Sequence, residues 1–250
     1  MHRQAVVTGA SMGIGRAFAV TLAARGYRVL AVARSEPALA RLLLELPGDG
    51  HGLLVADLAT PEGVAAVVAR MKDDRVHLLV NNAGAGLVGG FHEPRIDAHL
   101  RLIDLNVRAL TCLCHAFLQQ TQPGDALINV SSVLAFAPQP TQPVYAATKA
   151  FVGSLTESLW QEGQSRGVHV LSVAPGPTAT EFGKHAGRPP GWGRAQWTLS
   201  TPEQVVHAAL GALDRKRGPH VVPGLFNKVF VGLTHFVTRR WLVRLMGRAG

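Results

Sequence analysis

Residues 144–150 read VYAATKA, so a tyrosine and a lysine stand four residues apart in a small, apolar stretch. On an α-helix this spacing puts Tyr145 and Lys149 on one face, one turn apart. Lysine alone would be a solvated charge, and tyrosine alone a core residue with a polar tip. Together they can be an acid and its tuner. A phenol titrates near ~10, so it transfers protons poorly at neutral pH unless a nearby cation stabilises the phenolate.

A second constellation, TGASMGIG at residues 8–15, lies between a strand-like run and a helical pattern. Gly9, Gly13 and Gly15 are spaced GxxxGxG, different from the commoner GxGxxG but physically alike. Glycine allows the tight turn and lets backbone N–H groups approach a pyrophosphate, whose charge also suits a helix N-terminus. The next apolar run ends in VARSE. A carboxylate there would accept from a ribose 2′-OH and select NAD, but Ala33 takes that place and Arg34 follows. A guanidinium pairs with a 2′-phosphate and stacks on adenine, so NADP(H) is expected ahead of NAD(H). Asp57 and Leu58 follow the third run, and Asn81, Asn82, Ala83 and Gly84 the fourth, all at strand ends where such sheets bind ligands. Asp57 competes with Thr60 as a helix cap.

These groups need a scaffold that brings strand ends to one edge. Short, wholly apolar runs at 5–7, 28–33, 52–55, 77–80, 126–130, 168–173 and 220–222 read as strands buried on both faces of a parallel sheet. Helical patterns lie between them at 14–25, 36–46, 61–72, 96–119, 145–166 and 202–214. This alternation predicts an α/β fold, a single Rossmann-type doubly wound parallel sheet of about seven strands with helices on both faces. Residues 1–225 form the catalytic domain and 226–250 a basic amphipathic extension of the same domain. Residues 181–200 read as a loop in which Trp192 and Trp197 serve as lid residues or as plain anchors.

In the extension, Phe226, Val229, Phe230, Leu233, Val237 and Trp241 fall near one face, with Lys228, Arg239, Arg240, Arg244 and Arg248 elsewhere. Such a stripe packs on the domain or across a subunit interface, or it lies on an anionic membrane. The chain carries net charge +9, but its basic residues are scattered, so nucleic-acid binding is not expected. The 47% hydrophobic content suffices for a core. Cys112 and Cys114 point apart on a helix, too few for a disulfide framework, and no further ligands join them and His115, so no metal is expected. The N-terminus lacks an export signal, and no run nears ~18 apolar residues. The expected location is cytoplasmic, with peripheral membrane contact as the variant.

Taken together, TGASMGIG, the DL at 57–58, NNAG at 81–84, LNV at 105–107, VSS at 130–132, YAATK at 145–149 and PGPTAT at 175–180 resemble the classical short-chain dehydrogenase/reductase family, over about residues 4–223. The resemblance implies a tetrad of Asn106, Ser132, Tyr145 and Lys149, with Ser132 chosen over Ser131 because it stands thirteen before the tyrosine. Ser132 would hydrogen-bond a substrate carbonyl, Tyr145 would exchange its proton, and Lys149 would tune the tyrosine and hold the nicotinamide ribose. Asn106 would anchor a water that links Lys149 to solvent. Implied cofactor contacts are Thr8, Gly9, Ser11, Gly13, Ile14, Gly15, Arg34, Asp57, Leu58, Asn82, Ala83, Gly84, Tyr145, Lys149, Pro175, Gly176, Thr178 and Thr180. Two departures stand out: residues 85–90 are unusually glycine-rich, and Met12 occupies a loop position where some NADP-dependent members carry a basic residue. The implied substrate is a carbonyl compound or secondary alcohol, and its pocket would be walled by 134–144 and the loop after 180, both apolar enough for a lipophilic compound. A homodimer or homotetramer is implied as well. The rival readings are a non-catalytic nucleotide-binding regulator or scaffold on the same fold, and an interaction module dominated by the basic tail.

Overall fold

Strands β1 (Gln4–Thr8), β2 (Arg28–Ala33), β3 (Gly52–Val55), β4 (Leu78–Asn81), β5 (Ala126–Val130), β6 (His169–Val173) and β7 (His220–Val221) form one parallel sheet in the order β3-β2-β1-β4-β5-β6-β7. The computed structural model describes residues 3–187 and 199–248. Winding reverses between β1 and β4, and this switch point opens a crevice beyond the strand ends.

Along each strand the side chains alternate between two cores. Val7, Ala31, Val80, Ile128 and Val173 face one core with α1 (Gly13–Ala24), α2 (Glu36–Glu45) and α8 (Pro202–Asp214). Val6, Val32, Leu79, Leu127 and Val170 face the other with α3 (Pro61–Asp73), α5 (Leu110–Leu118) and α6 (Pro143–Arg166). Because both faces are covered, the strands carry continuous apolar runs, such as Ala5 to Val7 and Leu78 to Val80, rather than an alternating pattern. Phe18 of α1 and Phe117 of α5 are the bulkiest fully buried side chains, one in each core.

Three segments depart from the sequence expectation. The helix expected over 96–119 is interrupted: α4 (Ile96–Ile103) passes into a π-helical stretch, Asp104–Ala109, before α5 begins. The π-helical turn shifts hydrogen bonding from i+4 to i+5 and inserts a residue without altering the apolar pattern enough to be seen. The loop after residue 180 contains a one-turn helix, α7 (Phe182–His185), and Trp192 and Trp197 lie outside the described residues. The extension forms two helices, α9 (Leu225–Thr234) and α10 (Arg239–Arg248). His235 and Phe236 close α9 by bonding back to Gly232 and Leu233, where the helix-weakening Gly232 sits, and Thr238 accepts from Leu242 to start the next turn.

Among the described residues, no helix is long and apolar enough to cross a membrane.

Candidate active site

The strand ends line a cavity of about 1020 Å³. It runs from Ala33, Arg34, Asp57 and Leu58 past Gly9, Ser11, Gly13 and Ile14 to Ser132, Tyr145 and Lys149. Pro175, Gly176, Thr178 and Thr180 close one side, and Asn82 to Gly84 form the floor. The expected catalytic and cofactor residues are thus gathered on one cavity or just behind its wall. Thr8, Gly15 and Asn106 form that supporting layer.

The glycine loop is held by the turn after β4. Asn82 donates from Nδ2 to the carbonyls of Thr8 (3.0 Å) and Gly9 (3.2 Å). The Thr8 hydroxyl accepts from the N–H groups of Asn82 and Ala83, both at 3.0 Å, and donates to the carbonyl of Val80. A Cβ on Gly15 would stand 2.2 Å from the Gly9 oxygen, so only glycine lets α1 start this close to the loop. Gly9 and Gly13 have φ of +65° and +54°, and a Cβ on Gly13 would strike the Thr180 methyl at 2.9 Å. Bare backbone, a helix N-terminus and an open cavity above them fit the pyrophosphate of a dinucleotide.

At the far end, Thr60 rather than Asp57 caps α3, accepting from the Gly63 N–H at 3.1 Å. Asp57 is thereby left for the cavity, where its carboxylate accepts from the Ala59 N–H (3.0 Å) and from Arg101 of α4 (2.5 Å). Burial pushes the Asp57 carboxyl up, but the Ala59 N–H, the Arg101 guanidinium and the Arg34 charge together hold it below its ordinary value. Arg101 was invisible to sequence reasoning, since its partner lies 44 residues away. Arg34, directly after β2, therefore shares this end of the cavity with a second guanidinium.

Tyr145 and Lys149 lie in the first two turns of α6, started by Pro143. Tyr145 is buried, with its ring against Phe182 at 5.8 Å between centroids. The Lys149 Nζ lies 5.8 Å from the centroid of the Tyr145 ring and donates to the Val130 carbonyl at 2.8 Å. Burial pushes the Lys149 ammonium down to about 8. Ser131 and Ser132 both line the cavity but differ in their partners: the Ser131 hydroxyl donates to the Lys149 carbonyl, and the Ser132 hydroxyl accepts from the Leu134 N–H at 3.1 Å.

Asn106 sits in the π-helical stretch. Its side chain exchanges both amide bonds with the Ala85 backbone at 3.0 Å and donates to Thr148 of α6 at 3.1 Å. It therefore clamps the segment after NNAG to the helix that carries Tyr145 and Lys149. A Cβ on Gly84 would come within 3.2 Å of the Asn106 Oδ1 and 3.4 Å of the Lys149 Nζ, so glycine leaves that corner open.

Cys114 belongs to a different group, a buried ladder behind the strand ends. Asn81 donates to Asn129 on the neighbouring strand (3.0 Å) and to the Cys114 Sγ (3.3 Å), and Asn129 donates to Thr156 (3.0 Å). Burial drives the Cys114 thiol up to about 12, so it packs as an inert thiol.

Sequence reasoning missed four further side chains. Gln139 and Gln142 are buried on the cavity wall, and their Oε1 atoms find no partner among the described residues. Asn227 of α9 is buried against Gly176, where a Cβ would stand 2.2 Å from its Oδ1, while its Nδ2 donates to the Pro223 carbonyl at 2.7 Å. Met246 of α10 reaches the cavity lining. Asn227 stands beside Lys228 in a mixed polar and apolar pattern that any surface helix shows, so no signal in the sequence singled it out.

Comparison with known proteins agrees with this arrangement. Residues 3–190 match the short chain dehydrogenase family. Sulfoacetaldehyde reductase 2 of Chromohalobacter salexigens is 35% identical over 71% of this chain and 73% of its own length. A short-chain dehydrogenase from Sphingobium yanoikuyae, solved in complex with NADPH, superposes with TM-score 0.82 at 33% identity, covering 94% of this chain and 96% of that one. The bulky-bulky ketone specific alcohol dehydrogenase from Comamonas testosteroni superposes with TM-score 0.78 at 29% identity, over 95% of each chain.

Proposed function

Because the chain belongs to the short chain dehydrogenase family, we propose that it is an NADP(H)-dependent oxidoreductase interconverting a lipophilic carbonyl compound and its secondary alcohol. The observation that carries this reading is the convergence of Ser132, Tyr145 and Lys149 on one cavity wall beside the glycine loop. The bound nicotinamide supplies or accepts the hydride. Gly9, Ser11, Gly13 and Ile14 hold the pyrophosphate, Asp57 and Leu58 the adenine, Lys149 the nicotinamide ribose, and Thr178 and Thr180 the carboxamide. Arg34 pairs with the 2′-phosphate, and the NADPH bound to the Sphingobium relative supports that choice.

Charge that develops on the substrate oxygen is met by two donors, the Ser132 hydroxyl and the Tyr145 phenol. Tyr145 gives its proton to that oxygen in reduction and removes it in oxidation. Lys149 stabilises the resulting phenolate, which brings the tyrosine towards neutral pH. Asn106 is a positioning residue: it fixes the Ala85 backbone against α6.

Val133, Leu134, Leu87, Phe182 and Met246 make the substrate side largely apolar, and the bulky-ketone specificity of the Comamonas relative supports a large, lipophilic substrate. Gln139 and Gln142 add two acceptors to that wall, suited to a hydroxyl on the substrate. The protein works as a homo-oligomer in the cytoplasm.

The test is NADPH oxidation across a panel of ketones, with NADPH binding measured on the same protein. Turnover on bulky apolar ketones is expected, and Tyr145→Phe should lower it by roughly 10²- to 10⁴-fold while NADPH still binds. Binding with no turnover by wild type would instead mark a nucleotide-binding scaffold, and near-normal turnover by Tyr145→Phe would sink the acid assignment.

A further inference from the structure

The apolar side chains of the tail do not pack on the domain in the way a core stripe would. Val229, Leu233, Phe236 and Trp241 are all more than half exposed, at 53%, 57%, 88% and 62%. What anchors α10 is the opposite side, Leu242 at 3% exposure and Met246 in the cavity wall, with Gly247 beside Pro140. Around α10, Arg240, Arg244 and Arg248 follow one another at i, i+4 and i+8, and Trp241 and Leu245 run alongside them on the outer surface. From residue 225 to 248 there are five lysines and arginines and no aspartate or glutamate.

We infer that α9 and α10 dock the protein on an anionic phospholipid bilayer, with the apolar residues in the acyl boundary and the arginines at the headgroups. Charge decides between a bilayer and a second copy of the chain. A two-fold interface sets the same patch against itself, which would bring the arginine row against its own image with no carboxylate in either helix to offset it. A bilayer supplies both needs at once, apolar volume for Trp241 and Leu245 and phosphate and carboxylate groups for the guanidinium row. The dock would set the cavity wall at Met246 close to the bilayer, so that a lipophilic substrate reaches the pocket without crossing water. The docking stands apart from the redox chemistry; only this delivery route rests on the function proposed above.

The test is co-sedimentation of the full chain with phosphatidylcholine vesicles and with vesicles containing about one-third phosphatidylserine. Binding is expected to the anionic vesicles only, and to weaken at least tenfold as salt rises and the Debye length shortens from about 10 Å to about 3 Å. Arg240→Gln and Arg244→Gln should each lower partitioning by roughly fivefold. Trp241→Ser with Leu245→Ser should remove it. Thermal melting and ketone reduction without vesicles should be unchanged in all three variants, so a failed dock and a failed reductase are told apart. No binding to anionic vesicles, or binding indifferent to the arginines, overturns the inference. So does a change of molecular mass in Trp241→Ser/Leu245→Ser, which would make the face a subunit interface.

Discussion

Lys149 combines two demands that conflict energetically: a positive charge is wanted beside Tyr145, yet the ammonium is buried and its pKa falls from 10.5 to about 8. The sign of the consequence follows from proton binding. Between pH 8 and 10.5 the unfolded chain holds this proton and the folded one does not, so the Lys149 contribution to stability rises with pH across that window. Below it both states are protonated, and the burial penalty is constant. Urea unfolding of wild type and Lys149→Met should therefore show a stability difference moving in favour of wild type from pH 8 to 10; a difference flat in pH would mean that the ammonium is not held in a depressed state. Arg34→Asp, at the other end of the cavity, exchanges phosphate pairing for repulsion. It should weaken NADPH by roughly 10- to 100-fold, the worth of one charge-assisted contact, and improve NADH relative to it. Equal loss for both cofactors would remove Arg34 from the 2′-phosphate site. Tyr145, Lys149 and Arg34 were legible as candidates from side-chain type and local spacing, and Ser132 through the family resemblance; the fold brings all four to one cavity. Arg101 and Asn227 were not legible, because their partners are brought near only by the closed fold.

Elements reveal a second limit of local reasoning. Strands and helices were readable from apolar runs and periodicity, since a sheet covered on both faces leaves wholly apolar segments. The π-helical turn at Asn106 was not, because one inserted residue barely disturbs a helical pattern while it re-aims the side chain. The glycine loop was legible as a motif, and its packing explains which glycine matters most. Gly15→Ala would place a Cβ against the Gly9 oxygen, backbone that cannot swing away, so the loop itself must shift. Gly26, in the turn after α1, has φ of +82° but open space around its missing Cβ. Gly26→Ala should cost about 1 kcal/mol of stability through backbone strain and leave NADPH affinity alone. Gly15→Ala should cost about 1–3 kcal/mol and also weaken NADPH at least tenfold, as measured by thermal unfolding and cofactor titration on both variants. Equal affinities in the two would mean that the loop adapts without disturbing the cradle.

At the scale of the whole molecule, two exposed apolar faces remain among the described residues, and their charges differ. The tail is wholly basic, but the face formed by α4, the π-helical stretch and α6 carries Asp104 paired with Arg108 and Arg95 paired with Asp97. On this second face Phe91, Ile103, Val107, Pro143 and Val144 line a shallow apolar groove, and Ile96, Leu100 and Phe151 stand exposed nearby at 62%, 52% and 40%. A two-fold contact here would bury self-complementary apolar rows with no excess of like charge, which is what an isologous interface needs. It would also brace Pro143 and Val144, the residues that begin the helix bearing Tyr145 and Lys149. The homo-oligomer proposed for this chain is therefore expected to form through the α4–α6 face. Ile103→Glu buries an unpaired carboxylate in that contact, a cost of about 3–5 kcal/mol, so the dissociation constant should rise by roughly 10²- to 10⁴-fold. Light scattering across a dilution series reads this directly, with Leu44→Glu on the distant α2 surface, 89% exposed, as the control. A wild type monomeric at all concentrations, or an oligomer indifferent to Ile103→Glu, would leave the groove without a second copy to fill it. Because the two faces lie on different elements, Ile103→Glu should halve the mass without releasing the protein from anionic vesicles. Loss of vesicle binding along with the mass would mean that single copies bind too weakly and that docking draws on several tails at once.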